Sequence, residues 1–182
     1  MNAIINVLID AFWLMLPAYL PNNCAVIFGG GTPLDFGKNF KDGRRILGDG
    51  KTFRGTVGGT ICGILAGLML NLAAPYFGFP TFASGLSQIP VLIGLSVGAM
   101  LGDIVAAFAK RRFGLKRGER FPVLDQLDFV FGAWLLTYFL APVWFKENFT
   151  LPVIIAVLII TPVLHRITNI IGYRLGTKRE PW

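Results

Sequence analysis

Three aspartates of this 182-residue chain are candidates for divalent-metal chemistry. Asp103 lies in an otherwise uncharged stretch, seven residues before Lys110, which places it about 10 Å inside the end of a helix. Asp125 and Asp128 are three positions apart, a spacing that puts both carboxylates on one helical face. Hard cations such as Mg²⁺ prefer carboxylate oxygens and also bind substrate phosphates. These acids therefore predict a Mg²⁺ site; the alternatives are an interhelical ion pair for Asp103 and helix-dipole stabilisation for the other two.

Two clusters of basic residues accompany these acids. The cluster that precedes Asp125 consists of Lys110, Arg111, Arg112, Lys116, Arg117 and Arg120. The other cluster consists of Arg44, Arg45, Lys51 and Arg54, and it is interspersed with glycines that permit anion-binding backbone turns. Basic residues beside a membrane ordinarily attract anionic lipid, but next to metal-binding carboxylates they can hold phosphates. The clusters thus predict a phosphate-containing substrate.

The elements that must position these residues are membrane helices. Hydrophobic residues make up 54% of the chain and charged residues only 15%, against about 25% in soluble domains. A spanning helix needs roughly 20 apolar residues. Five apolar stretches satisfy or approach this length: 3–22, 55–75, 88–109, 126–145 and 150–172. We expect an all-α, polytopic membrane protein with five transmembrane helices, built as a single domain over residues 1–182.

The distribution of basic residues predicts the orientation. Sixteen of the 17 Lys and Arg lie in 29–54, 110–125 and 173–182 or at Arg166, and only Lys146 lies elsewhere. Because Lys and Arg accumulate on the cytosolic side, the N-terminus is expected outside and the C-terminus in the cytosol. The loops 29–54 and 110–125 are then cytosolic. This rule also accounts for the net charge of +7 without a nucleic-acid partner.

Two glycine repeats indicate closely packed helices. Gly59, Gly63 and Gly67 recur at every fourth position, as do Gly94, Gly98 and Gly102. Such faces allow close backbone approach between helices. We expect them to pack within one chain, and a homodimer is the alternative.

Taken together and in this order, the polar motifs resemble those of the CDP-archaeol synthase family, small five-span membrane cytidylyltransferases. The motifs are Pro21-Asn22, Asp42-Gly43-Arg44-Arg45, Gly50-Lys51-Thr52-x-Arg54-Gly55, Gly102-Asp103, Lys110-Arg111-x-x-Gly114 and Pro122-x-x-Asp125-x-x-Asp128. The second half is also similar to the C-terminal signature of CDP-diacylglycerol synthases. It departs from that signature at Arg117, where an acid would stand, and at Gln126, where an arginine would stand.

The resemblance implies transfer of a cytidylyl group from CTP to digeranylgeranylglyceryl phosphate, with release of pyrophosphate, at the cytosolic face of the cell membrane. It implies Asp103, Asp128, Lys110 and Arg111 as catalytic residues. The implied metal ligands for Mg²⁺ are Asp103, Asp125 and Asp128. The implied substrate-binding residues are Asn22, Arg44, Arg45, Lys51, Thr52, Arg54, Lys116 and Arg117. The expected partners are CTP, the lipid phosphate and membrane lipids.

Some residues and two rival functions stay open at this stage. His165 and Arg166 either contact the acceptor phosphate or are satisfied locally, with the arginine extended to the interface. Asn22 and Asn23, at the end of the first helix, either contact the nucleotide or serve in capping and interfacial hydration. An intramembrane aspartate is also compatible with an ion or solute transporter, and the phosphate and metal residues with a lipid kinase.

Overall fold

The described residues of the computed structural model, 3–116, 119, 121 and 124–176, contain six α-helices and no strand. The helices are α1 (Ala3–Ile27), α2 (Phe53–Phe77), α3 (Gln88–Arg112), α4 (Leu124–Leu140), α5 (Pro142–Asn148) and α6 (Leu151–Arg174). The loop between α1 and α2 is therefore 28–52, slightly shorter than the predicted 29–54. The all-α prediction is confirmed.

Four helices of the described part are long and apolar enough to cross a membrane: α1, α2, α6 and α3 with the turn before it. The stretch 126–145, expected to be one span, is divided, because α4 ends at Leu140 after 17 residues and α5 begins at Pro142. The residue before a proline disfavours the α conformation, and Ala141 has φ −143° and ψ 63°. Seventeen residues extend about 26 Å, just under the roughly 30 Å hydrocarbon core, so a fifth crossing stays a prediction.

Glycines bring α3 and α4 into backbone contact. A Cβ atom on Gly98 would lie 2.5 Å from the carbonyl oxygen of Gly132, and one on Gly102 would overlap the carbonyl oxygen of Asp128. Neither overlap can be relieved by moving a side chain, so both positions of α3 require glycine. The contact also sets Asp128 beside the helical turn that carries Asp103.

Helix α1 packs against α2, α3 and α6 and connects them. A Cβ atom on Gly63 of α2 would lie 2.6 Å from the carbonyl oxygen of Pro17, so this glycine face is also used within the chain. Ser96 of α3 donates a hydrogen bond to the same carbonyl at 3.1 Å. This carbonyl lacks its usual helical donor, because Pro21, four residues later, has no backbone N–H. The hydroxyls of Tyr19 and Thr161 lie 2.8 Å apart and link α1 to α6.

Candidate active site

Two adjoining cavities lie at the end of the bundle that carries the basic loops. One has a volume of about 660 Å³ and is bounded by α1, α3, α4, α6 and the loop before α2. The other has about 180 Å³. Both are lined by Gly50, Lys51, Asp103, Asp125 and Asp128. The three aspartates singled out in the sequence therefore meet at the wall between the two cavities.

The three carboxylates have different partners. Asp103 forms an ion pair with Lys51, which enters from the loop before α2. Both carboxylate oxygens of Asp125 lie 2.9 Å from the Nζ of Lys110, on the last turn of α3. Asp128 accepts a hydrogen bond from the backbone N–H of Phe129 and forms no ion pair within the described part of the chain. Two of the acids are thus neutralised by lysines, and the third is not.

This arrangement bears on the predicted metal ion. As the side chains stand, no group of three or more His, Cys, Asp or Glu residues in the described part is arranged to hold a metal. Lys51 and Lys110 occupy the positions beside two of the three acids that a cation would take. The assignment of Asp103, Asp125 and Asp128 as ligands therefore stays a prediction.

Other predicted site residues also line the cavities. Arg111 lines the smaller one, and its Nε donates to the carbonyl oxygen of Leu47 at 3.2 Å. Asn22 and Thr52 line the larger one. The Thr52 hydroxyl accepts a hydrogen bond from the backbone N–H of Gly55, which caps the start of α2. Capping thereby fixes where the loop ends and where Lys51 enters the site.

The lining of the larger cavity also includes apolar residues of α1 and α6, which we call the apolar arm. It includes Phe12, Leu16 and Leu20 on α1 and Leu164 on α6. Phe12 and Asn22 are ten positions apart, which corresponds to about 15 Å along α1. The larger cavity is therefore lined by the three aspartates and Lys51 and also by the apolar arm.

A polar face of α6 borders the same cavity. It consists of Thr161, His165, Thr168 and Asn169. The spacing of these residues places them on one side of a helix. This pattern is present in the sequence, but sequence analysis identified only His165 among the four. Arg166, the neighbour of His165, is exposed and is not among the residues that line the cavity.

Comparison with known proteins shows the family. A sequence model of the CarS-like CDP-archaeol synthases matches residues 4–182. The chain belongs to the CDP-archaeol synthase family. It is 57% identical to the CDP-archaeol synthase of Methanococcoides burtonii and 52% identical to that of Methanosarcina acetivorans, each alignment covering 92% of this chain and 100% of the relative. It is 48% identical to the CDP-archaeol synthase of Natronomonas pharaonis, over 94% of this chain and 96% of that one.

A solved structure agrees with the sequence relatives. It is an intramembrane enzyme of archaeal membrane lipid biosynthesis, 34% identical to this chain, with a TM-score of 0.73. The match covers 90% of this chain and 94% of the other. A CDP-archaeol synthase is a CTP-dependent cytidylyltransferase that acts on a lipid phosphate, and this chain is accordingly a membrane cytidylyltransferase of lipid synthesis.

The arginines of this CDP-archaeol synthase family member organise the loop before α2. Arg44 donates to the carbonyl oxygen of Arg112 at 2.7 Å, and Arg45 forms ion pairs with Asp35 and Asp49. Arg54 donates to the carbonyl oxygens of Phe28 and Gly29. The described linings of the two cavities do not include Arg44, Arg45, Arg54 or Lys116, so their assignment to substrate stays a prediction. Arg117 lies outside the described residues.

Asp35 is the residue that sequence reasoning missed. Its fully buried carboxylate accepts hydrogen bonds from the Arg45 guanidinium and from the backbone N–H groups of Gly37, Leu47 and Gly48, at 2.8–3.2 Å. The Arg45 guanidinium, together with these N–H groups, holds the pKa of Asp35 well below its usual range. The loop leads directly into Lys51, so Asp35 fixes the approach of that lysine to Asp103. In the sequence Asp35 is one of three aspartates of a basic loop, with Asp42 and Asp49, and no local motif sets it apart.

Proposed function

We propose that this chain transfers the cytidylyl group of CTP to digeranylgeranylglyceryl phosphate, giving CDP-archaeol-type lipid and pyrophosphate. The observation that carries the proposal is the larger cavity, which joins three aspartates and Lys51 to an apolar arm along α1 and α6. A charged end suits a nucleoside triphosphate and a lipid phosphate. An apolar arm suits the chains of a lipid whose phosphate must reach that end.

Enzymes of this type generally use a divalent metal ion, and we propose Mg²⁺. The donor chemistry fits, because three carboxylates line one wall and Asp128 carries no cationic partner among the described residues. Asp103, Asp125 and Asp128 would hold the ion. When bound, it supplies neutralisation of phosphate charge as pyrophosphate leaves.

The residues of the chain contribute positioning and positive charge. An oxygen of the lipid phosphate attacks the α-phosphorus of CTP, and the bond from that phosphorus to the bridging oxygen of the β-phosphate breaks. Phosphate monoesters ionise with a second pKa of about 6, so the attacking oxygen needs no general base near neutral pH. Lys51, Lys110 and Arg111 neutralise the triphosphate as their hydrogen bonds pass from carboxylate and carbonyl oxygens to phosphate oxygens.

The polar face of α6 is the part of the site assigned to the lipid phosphate. His165 and Thr168 border the cavity on the same helix as Leu164, which contributes to the apolar arm. A lipid whose chains occupy the arm would present its phosphate near this face. We therefore assign His165 to acceptor binding.

In this proposal the site lies at the cytosolic face of the cell membrane, and α4 is the fifth membrane-spanning helix. The positions of the basic residues support it, because the cation-rich loops border the cavities. The N-terminus is then outside and the C-terminus in the cytosol. CTP is made and used in the cytosol, which agrees with this orientation.

The direct test is transfer of label from CTP carrying ³²P at its α-phosphate, with purified protein, Mg²⁺ and the lipid phosphate. We expect label in the lipid fraction and one pyrophosphate released for each lipid labelled. A parallel reaction with ATP carrying ³²P at its γ-phosphate tests the alternative hypothesis of a lipid kinase. Label in lipid from ATP alone, or none from either nucleotide, would refute the proposal.

A further inference from the structure

The amide oxygen of Asn22 stands out in the larger cavity. This Oδ1 atom is buried and has no hydrogen-bond partner among the described residues. A buried acceptor without a donor is unfavourable and is rare in folded proteins. The neighbouring Asn23, by contrast, donates its amide to the carbonyl oxygen of Tyr19 at 3.2 Å. The amide oxygen of Asn22 therefore has no hydrogen-bond donor among the described residues, and a bound molecule can supply one.

Asn22 differs from the other residues with an unpaired buried atom because it lines a cavity. Within the described residues, two other buried polar atoms lack partners, Nε of Arg112 and Nε1 of Trp134. Neither residue lines the cavities. Both atoms are also donors, whereas Oδ1 of Asn22 is an acceptor. Asn22 is thus the member of this group that lines a cavity in which a ligand could supply the missing partner.

The chemistry of the substrates narrows the choice of donor. Ionised phosphates and ether oxygens only accept hydrogen bonds, so the donors of CTP are its ribose hydroxyls and the amino group of cytosine. Asn22 lines the larger cavity but not the smaller one, where Lys110 and Arg111 lie. If the triphosphate lies towards these cations, the base, at the other end of CTP, lies towards Asn22.

We propose that Asn22 Oδ1 accepts a hydrogen bond from the exocyclic amino group of cytosine and so contributes to the recognition of CTP. The inference rests on the proposed use of CTP and identifies a residue that recognises its base. UTP carries a carbonyl oxygen at that position and would place an acceptor against Asn22 Oδ1. Recognition of the base is then separate from the binding of phosphate by Lys51, Lys110 and Arg111.

The test measures binding of CTP and of an analogue in which hydrogen replaces the amino group, by competition with labelled CTP in Mg²⁺. Asn22→Leu removes the acceptor at similar volume. We expect it to weaken CTP binding about tenfold and to leave the analogue unaffected. Asn22→Asp retains an acceptor, and its ratio of CTP to analogue affinity should stay close to that of the wild type. Asn23→Leu is the matched control and should keep the same ratio, because Asn23 also lines the larger cavity but its amide donates to the carbonyl oxygen of Tyr19.

Two outcomes would overturn the inference. Asn22→Leu could weaken CTP and the analogue by the same factor, or leave CTP binding unchanged. A loss that disappears with 2′-deoxy-CTP instead of the analogue would assign Asn22 to the ribose and equally overturn it. Failure of the proposed function is distinguishable, because the wild type would then label no lipid from CTP, whereas failure of the Asn22 assignment leaves wild-type transfer intact.

Discussion

Lys51 and Asp103 form an ion pair at the wall that the two cavities share, although 51 residues separate them in the chain. The pair joins the loop before α2 to the carboxylate that α3 carries inside the membrane region. It keeps this carboxylate and Lys51 neutralised before substrate binds. The arrival of phosphate and a divalent cation would give each member of the pair a new partner.

The acids of the site should be essential for transfer. We expect Asp103→Asn and Asp128→Asn each to lower the rate of cytidylyl transfer by roughly 100-fold or more, because each removes negative charge where Mg²⁺ is proposed to bind. Labelled transfer measured over a range of Mg²⁺ concentrations checks this. Asp10→Asn is the control, since Asp10 lies on α1 outside both described linings. Near-normal rates in both variants would contradict the assignment.

The close contact of α3 with α4 should tolerate no side chain at Gly102. Gly102→Ala would force a Cβ atom against the backbone of Asp128, and overpacking of this kind costs about 1–3 kcal/mol. Thermal unfolding in detergent should show the loss, together with reduced transfer because Asp128 is displaced. Val105→Ala is the control, because Val105 lies on the same helix and its side chain is exposed. Equal unfolding temperatures for the two variants would contradict the packing argument.

The loop before α2 should depend on the ionisation of Asp35. Its folded-state pKa is lowered, so its contribution to stability is complete above about pH 5 and is lost as the pH falls below the ordinary value of about 3.9. We expect Asp35→Asn to destabilise the loop at pH 7 and this difference from wild type to shrink as the pH falls. Proteolysis of the loop measured from pH 7 to pH 3 checks this. A difference that is constant over this range would contradict the ionic role.

The α6 face should distinguish the two substrates. We expect His165→Ala to raise the KM for the lipid phosphate severalfold while CTP binding stays unchanged, since the apolar arm lies beside this face. Arg166→Ala changes the adjacent residue outside the cavity lining and should alter neither value. Steady-state kinetics with each substrate varied in turn gives the answer. If His165→Ala changed only the KM for CTP, His165 would instead be assigned to nucleotide binding.

The fifth crossing can be tested by labelling. If α4 spans the membrane, Phe113 at the end of α3 and Lys146 of α5, which flank α4 in the chain, lie on opposite faces. Cysteines placed at these positions, in a chain with Cys24 and Cys62 replaced, should react with an impermeant maleimide from opposite sides of sealed vesicles. Labelling of position 146 from the cytosolic side would mean that α4 does not cross.

Local sequence was sufficient to find the helices and the carboxylates. A long apolar stretch predicts a membrane helix wherever it occurs, and α1, α2, α3 and α6 follow this rule. An acid inside such a stretch is unfavourable without a partner, so Asp103 could be singled out with no knowledge of its neighbours. The division of 126–145 also had a local cause in Pro142, although the length of the apolar stretch outweighed it in the prediction.

Only the tertiary structure decided which cations reach the cavities. Lys51, Arg44 and Arg45 belong to one loop and look equivalent in sequence, yet Lys51 contacts Asp103 while Arg44 and Arg45 hold the loop together. The same holds for Asn22 and Asn23, of which one has an unpaired buried oxygen and the other a partner. The physical reason is that hydrogen-bond partners depend on side-chain direction after the backbone has folded. Adjacent residues of one type can therefore differ in their hydrogen-bond partners, and no local pattern tells them apart.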